Sequence, residues 1–431
     1  MSHSSQRADA PRIIPRSEHR VSRQDIDENA LKVLYRLHKA GFEAYLVGGG
    51  VRDLLLGKHP KDFDVATNAL PEQVNELFRN CRLIGRRFRL AHIHFGREIV
   101  EVATFRGHHD QTDDESVAHV HNGMIVRDNV FGTLEEDAWR RDFSVNALYY
   151  NIADFSVIDY TGGIEDLQLK RLRMLGDAHL RCQEDPVRIL RAIRFAAKLD
   201  FQLDTELVAA IDEQRDRLQA VPPARLFDEL IKMFLGGHAE ATLRLLVQYD
   251  LLQMLFAMSD QQLKAGDEQF YAFLLQALKN TDARVQDDKP VTPAFLFAAM
   301  LWGPVNKHAL QLQADGMSPV QSLQEAGRGI LHAQVSQIAI PKRFRLPIRE
   351  IWTGQARIKN RRGRRASWLI AHARFRAIYD FLLLRQQAGE AELDELAEWW
   401  TRYQEADNPE RKAMCQDLQQ KRQGHRPRNK K

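Results

Sequence analysis

Residues 45–67 read YLVGGGVRDLLLGKHPKDFDVAT, and the fold class turns on how this stretch divides. Tyr45–Val47 closes an apolar strand, and Gly48, Gly49 and Gly50 form a turn. Val51–Leu56 predicts a short helix stopped by Gly57, and Phe63–Ala66 predicts a second strand. Asp62 and Asp64 are two apart, and side chains on a strand alternate faces, so both carboxylates point the same way. Two carboxylates on one rigid face make a cradle for magnesium, a hard cation that prefers oxygen ligands. The glycines leave bare backbone where the chain enters a helix, which lets a phosphate approach closely and meet free N–H groups. A DxD pair alone is also what a solvated strand end looks like. It is the pairing of phosphate cradle and metal site, joined by a short linker, that points to chemistry on a nucleoside triphosphate.

Upstream, Ile26, Leu31, Leu34 and Leu37 recur at the helical period over residues 26–40, with Gly41 past the end; Phe42–Val47 is the first strand. Downstream, PEQVNELFRN (71–80) predicts a helix with Pro71 in its first turn. Ala91–Phe95 and Ile99–Thr104 predict two strands joined by a Gly96-Arg97 turn. Glu101 stands between Val100 and Val102, either as a third metal ligand or as a rim residue on an exposed face. The stretch His108–His121 is polar and acidic with four histidines; His-x-His is a usable metal spacing, but the absence of apolar periodicity favours a solvated loop. Residues 134–151 predict a helix and then a strand, with Arg140, Arg141 and Asp142 between them. Two arginines there suit a triphosphate, and Asp142 suits a ribose hydroxyl or the metal site; an ordinary surface ion pair is the alternative. Val157–Tyr160 predicts a further strand and Gly162-Gly163 a turn.

From Arg181 onward the pattern is almost wholly helical. Asp185 is a natural N-cap with Pro186 behind it, and Arg188, Arg191 and Arg194 line one flank of the helix while Val187, Leu190, Ile193 and Ala197 line another. Helical periods continue through PAFLFAAMLW (293–302), as in a body packed ridges into grooves. Residues 351–379 contain no acid. Arg357, Lys359, Arg361, Arg362, Arg364, Arg365, Arg374 and Arg376 lie there, with Trp352, Trp368 and Phe375 interleaved; the last eleven residues, KRQGHRPRNKK, are basic too. Cations with aromatics suit a single-stranded nucleic acid, because charge tracks the backbone and rings stack on bases. A solvated helix face and a frayed tail is the plainer alternative.

The chain has 431 residues, too many for one core, and its net charge of +4 conceals this uneven distribution. Three widely spaced cysteines argue for a reducing compartment, and a cytoplasmic monomer is expected. No apolar run is long enough to span a bilayer, and the polar N-terminus has no apolar core of the kind a secretory signal carries.

LVGGGVRDLLLG with DFDVAT resembles the nucleotidyltransferase head of the DNA polymerase beta-like superfamily, and RRDFSVNALYY and EDPVRILRAIRFAAKL resemble the later motifs of its class II branch. That branch holds the bacterial CCA-adding enzymes and the bacterial poly(A) polymerases. LIGRRFRLAHIHF (83–95) and the basic C-terminal half resemble the poly(A) polymerases, and the C-terminal half shows no HD-type phosphohydrolase motif. The resemblance implies an α+β chain: a polymerase beta-like head with a mixed sheet, then an all-helical neck, body and tail. The expected boundaries are a flexible basic arm (1–24), a catalytic head (25–165), a neck with the nucleotide-recognition motif (166–237), a body with the RNA-binding region (238–420) and a disordered basic tail (421–431). By resemblance, Asp62 and Asp64 hold two magnesium ions and Asp142 is catalytic, with Glu101 a competitor for third carboxylate. Gly48, Gly49 and Arg52 contact the triphosphate, helped by Arg140 or Arg141. Glu184, Asp185 and Arg188 read the edge of the incoming base, and Arg361, Arg362, Arg364 and Arg365 hold RNA. The implied reaction adds AMP from ATP to RNA 3′ ends without a template, marking RNA for decay proteins. CCA addition to tRNA is the rival, and an RNA-binding protein on an inactive head is the rival from another class.

Overall fold

A computed structural model describes residues 10–85, 89–107, 120–121, 124–125 and 130–423. The chain divides into two compact units, residues 1–184 with 199–210, and residues 185–198 with 211–431.

The first unit is built on an eight-stranded mixed sheet. Its strands are β1 (Arg12–Ile14), β2 (Ala44–Val47), β3 (Asp64–Thr67), β4 (Cys81–Ile84), β5 (Leu90–Phe95) and β6 (Glu98–Thr104). After a two-residue hairpin, β7 (Val120–His121) with β8 (Met124–Ile125), come β9 (Leu148–Asn151) and β10 (Val157–Asp159). The order is β1-β10-β9-β2-β3-β6-β5-β4, with β3 and β6 parallel and the other pairs antiparallel. All four β2 residues are buried, as expected of a central strand covered on both faces. Helix α1 (Glu28–Lys39) packs against β2 and β3; Asp27 caps it by accepting from the N–H groups of Asn29 and Ala30 at 2.8 and 3.0 Å. Its buried face is Ala30, Val33, Leu34 and Leu37, with Leu31 turned half out. Tyr45, Val47, Ala66, Phe105, Ala138 and Tyr149 form one core cluster under the sheet.

Two elements at the sheet edges depart from the sequence expectation. Residues 12–14 are not part of a flexible arm: they form β1, paired with Val157–Asp159, and bury Ile14. The helix expected over 71–80 spans Pro71–Leu77, because Phe78 turns into extended backbone and Cys81–Ile84 becomes the edge strand β4. Most of His108–His121, the first nine residues and residues 424–431 of the basic tail lie outside the described residues.

The second unit is helical. In it, helix Val187–Leu199, whose residues 187–198 belong to this unit, buries Val187, Leu190, Ile193 and Ala197, the apolar flank expected from its spacing. On the opposite flank Arg194 Nε meets Glu229 at 2.7 Å, and Glu229 is buried on Pro223–Phe234. Further along, Trp352 is fully buried and its indole N–H donates to the Ala298 carbonyl at 3.0 Å. Its ring lies so close to Gly327 that a Cβ there would sit 2.8 Å away. Phe375, Tyr379, Leu382, Trp400 and Tyr403 form the last core cluster. Trp352 and Phe375 are therefore core residues rather than exposed rings between the cations.

Candidate active site

The glycine turn closes β2 and opens helix α2 (Gly49–Leu55). Gly48 has φ +72° and ψ −136°, a conformation reserved for glycine. A Cβ on Gly48 would lie 3.5 Å from Arg141 Nη1 and 3.9 Å from Asp64 Oδ2, so the turn, the arginine and the aspartate converge on one place. A Cβ on Gly50 would lie 3.5 Å from the Asp62 carbonyl oxygen, so the entry of β3 sits close against the start of α2.

Strand β3 begins at Asp64, and Asp62 lies in the loop just before it. The two carboxylates are still coupled. The Asp64 carboxyl is pushed up to about 6, first by burial among protein atoms, then by the Glu101 and Asp62 carboxylates, with Arg141 pulling the other way. Its surface nevertheless stays open to solvent. Glu101 is the direct neighbour of Asp64 across the parallel β3–β6 pair. Next in register come His92 on β5, whose Nε2 lies 3.4 Å from Glu101 Oε1, and Arg82 on β4. A row of polar side chains thus runs from Asp64 to the sheet edge.

Arg141 is held from behind. Its Nε donates to the Tyr149 hydroxyl at 2.9 Å and its Nη2 to Asp137 Oδ2 at 3.0 Å, while the Tyr149 hydroxyl donates to the same oxygen at 2.7 Å. Burial alone would lower the affinity of this guanidinium for its proton, but Tyr149 and Asp137 outweigh it and raise the pKa. The arginine is a fixed positive charge. The carbonyls of Arg140 and Arg141 accept from Arg181 Nη2 at 2.8 and 2.7 Å, anchoring the turn after Leu134–Arg140.

Arg52 is placed differently from the sequence expectation. It is 1% exposed. Its Nε and Nη2 meet Asp53 Oδ1 at 2.8 and 2.7 Å and its Nη1 donates to Asn146 Oδ1 at 2.6 Å. The Asn146 amide in turn donates to Asp142 Oδ1 at 3.3 Å, and the Phe143 N–H donates to the same oxygen at 2.9 Å. Arg52 lies beneath Gly49, with Nη2 3.4 Å from where a Cβ would stand. Asn146 is the piece sequence reasoning missed; its signal was the asparagine in RRDFSVNAL.

The triplet expected to read the incoming base is divided between the two units. Glu184 is an exposed residue ending Ala178–Glu184 in the first unit, while Asp185 and Arg188 belong to the second. Asp185 Oδ1 accepts from the Val187 N–H at 3.2 Å, the capping role its spacing predicts, and Oδ2 accepts from Arg225 Nη2 at 2.6 Å. Arg225 was not singled out by the sequence.

Among the described residues no three His, Cys, Asp or Glu side chains already form a closed metal cluster. The donor set still fits magnesium: burial and then the neighbouring oxygens of Glu101 and Asp62 raise the Asp64 pKa, and a cation held among these hard oxygens would offset that repulsion. Magnesium ordinarily binds through one or two carboxylates and completes its shell with substrate phosphates and water.

Comparison with known proteins places the whole chain among one family. Residues 44–173 match the Poly A polymerase head domain, residues 200–263 the probable RNA and SrmB-binding site of polymerase A, and residues 315–431 the polymerase A arginine-rich C-terminus. Poly(A) polymerase I of Salmonella typhimurium is 50% identical over 94% of this chain and 88% of its own length. That of Haemophilus influenzae is 45% identical over 97% and 95%. A CCA-adding enzyme of Lactococcus lactis is 36% identical over 59% of the chain. The CCA-adding enzyme of Bacillus stearothermophilus, solved in complex with CTP, superposes with a TM-score of 0.57 at 25% identity, over 86% of this chain and 80% of that one. The matches cover head and helical half alike, and the chain belongs to the poly(A) polymerase I family of nucleotidyltransferases.

Proposed function

We propose that the chain lengthens RNA 3′ ends by adding AMP from ATP, without a template and with release of pyrophosphate. The observation that carries this reading is the convergence of Gly48, Asp64 and Arg141 on one place, in a chain about half identical to poly(A) polymerase I over nearly its whole length.

The roles follow from the chemistry of each group. The glycine turn and Arg141 receive the triphosphate: the turn offers backbone without a side chain, and Arg141 offers a charge fixed in place before substrate arrives. Asp62 and Asp64 hold the metal, with Glu101 rather than Asp142 as the third carboxylate, since Glu101 couples to Asp64 while Asp142 is tied to Asn146 and a backbone N–H. Bound there, two magnesium ions would make the RNA 3′-hydroxyl more acidic and offset the charge growing on pyrophosphate. The 3′-oxygen bonds to the α-phosphorus, the bond from that phosphorus to the β-phosphate oxygen breaks, and the hydroxyl proton passes to water. Arg52 supports the turn from beneath, and through Asn146 it fixes Asp142 for the nucleotide sugar. Glu184, Asp185 and Arg188 select adenine. The exposed cations among residues 361–365 hold RNA. The bacterial relatives and three free cysteines favour a cytoplasmic enzyme acting on RNA bound for decay.

The test is incubation with magnesium, an unrelated RNA and each nucleoside triphosphate separately. Long homopolymers from ATP alone are expected. Addition confined to tRNA and dependent on CTP would overturn the reading.

A further inference from the structure

The cations of residues 351–379 are not equivalent. Arg361 meets Glu395 at 3.2 Å, Arg374 meets Glu350 at 3.6 Å and Arg376 meets Asp380 at 2.9 Å. Lys359, Arg362, Arg364 and Arg365 form no ion pair with any described carboxylate, and all four are exposed. The turn 358–363 and the helix Arg364–Ile370 gather them at one edge of the second unit.

On the same short helix stands Trp368. It is 74% exposed, whereas Trp302, Trp352 and Trp400 are buried. An exposed indole in a basic surface gains nothing from folding, since its apolar area stays in water. It lies three and four residues beyond Arg365 and Arg364, so the ring and both guanidinium groups share one helix face. Beside them opens a cavity of ≈ 500 Å³, lined by Lys359, Arg362 and Arg365 at its mouth and by Trp302, Gln355 and Arg385 deeper in. Gln355 and Arg385 are buried and joined at 3.4 Å.

We propose that Trp368 is a stacking platform for one base of the RNA strand, upstream of the growing end, with Arg364 and Arg365 on the flanking phosphates. The cavity lined by Lys359, Arg362 and Arg365 takes the next phosphate along. The proposal rests on the reading of RNA as substrate. Unpaired cations spaced along an edge track a phosphate backbone, and one exposed ring among them meets the face that every base presents. A single ring with no hydrogen-bonding partner reads no sequence, which suits an enzyme whose product changes only in length.

The experiment measures binding of the full chain to a labelled twelve-nucleotide oligoadenylate and to its abasic counterpart, without ATP. Trp368→Ala is expected to weaken oligoadenylate binding about 5- to 150-fold and Trp368→Phe far less, with melting temperature unchanged. Trp368→Ala should leave the abasic strand's affinity and the salt dependence unaltered. Arg364→Ala and Arg365→Ala should each lower the slope of log affinity against log salt by about 0.7. Leu346→Ala, exposed on the same unit, is the control and should bind normally. Undiminished binding by Trp368→Ala, as a protein-docking role for the ring would give, overturns the proposal. So does an equal loss on both strands. AMP addition by the unaltered protein is measured alongside: its absence would refute the proposed reaction, while the binding constants alone decide the role of Trp368.

Discussion

Asp64 carries a cost that its place in the site explains. Its carboxyl, ordinarily near 4, is pushed up to about 6, so the ionised form is less favoured in the folded chain than in the unfolded one. Below pH 4 both states are protonated and there is no penalty. Between pH 4 and 6 the unfolded chain gives up this proton while the folded one keeps it, so the metal-free protein loses stability across that window and carries the full penalty above 6. Asp64→Asn is therefore expected to raise the melting temperature of the metal-free protein at pH 8, to change it little near pH 4, and to abolish AMP addition. A melting temperature unchanged or lowered at pH 8 would contradict the burial of Asp64 beside Glu101 and Asp62. Asn146 permits a second test at this scale. Its side chain joins buried Arg52 to Asp142, so Asn146→Ala leaves a buried charge short of a partner. A loss of about 1–3 kcal/mol in denaturant unfolding is expected, with a fall in kcat.

At the scale of elements, the strand–turn–helix–strand unit was legible because two local signals agree: glycines where only glycine fits, and acids two apart at a strand start. The edge strands were not. β1 is three residues long and β4 four, and half of β4 faces solvent, so neither leaves a periodic signature; they exist because a sheet edge offers them backbone partners. The arginines were legible as a set but not as individuals. Only folding showed that Arg52 is buried and that Arg361 faces Glu395. The helix Val187–Leu199 illustrates the same point. Its spacing put Arg188, Arg191 and Arg194 on one flank as a set, yet Arg194 is spent on buried Glu229. Removing one partner strands the other, so Glu229→Ala is expected to destabilise the second unit by about 3–5 kcal/mol, read as a shift in the denaturation midpoint. The turn can be tested directly as well. Gly48→Ala forces a side chain into a glycine-only conformation at 3.5 Å from Arg141. It should cost about 1–3 kcal/mol of stability and most of the AMP addition.

At the scale of the molecule, the net charge of +4 averages over two units with different tasks. In the first, acids and cations are fixed against one another around Asp64. In the second, Lys359, Arg362, Arg364 and Arg365 stay clear of described carboxylates, so their charge is available to a polyanion. Catalysis and RNA retention should then separate. Replacing Asp62 and Asp64 together with alanine is expected to abolish AMP addition while leaving oligoadenylate affinity within about twofold, because neither carboxylate belongs to the basic edge. The affinity that remains should still fall steeply with salt, since counterion release depends on the phosphates neutralised and not on the chemistry at the 3′ end. Residual AMP addition by the double variant would refute the metal assignment. Loss of RNA binding with a normal melting temperature would mean that the head, rather than the arginine-bearing edge, supplies most of the grip on RNA.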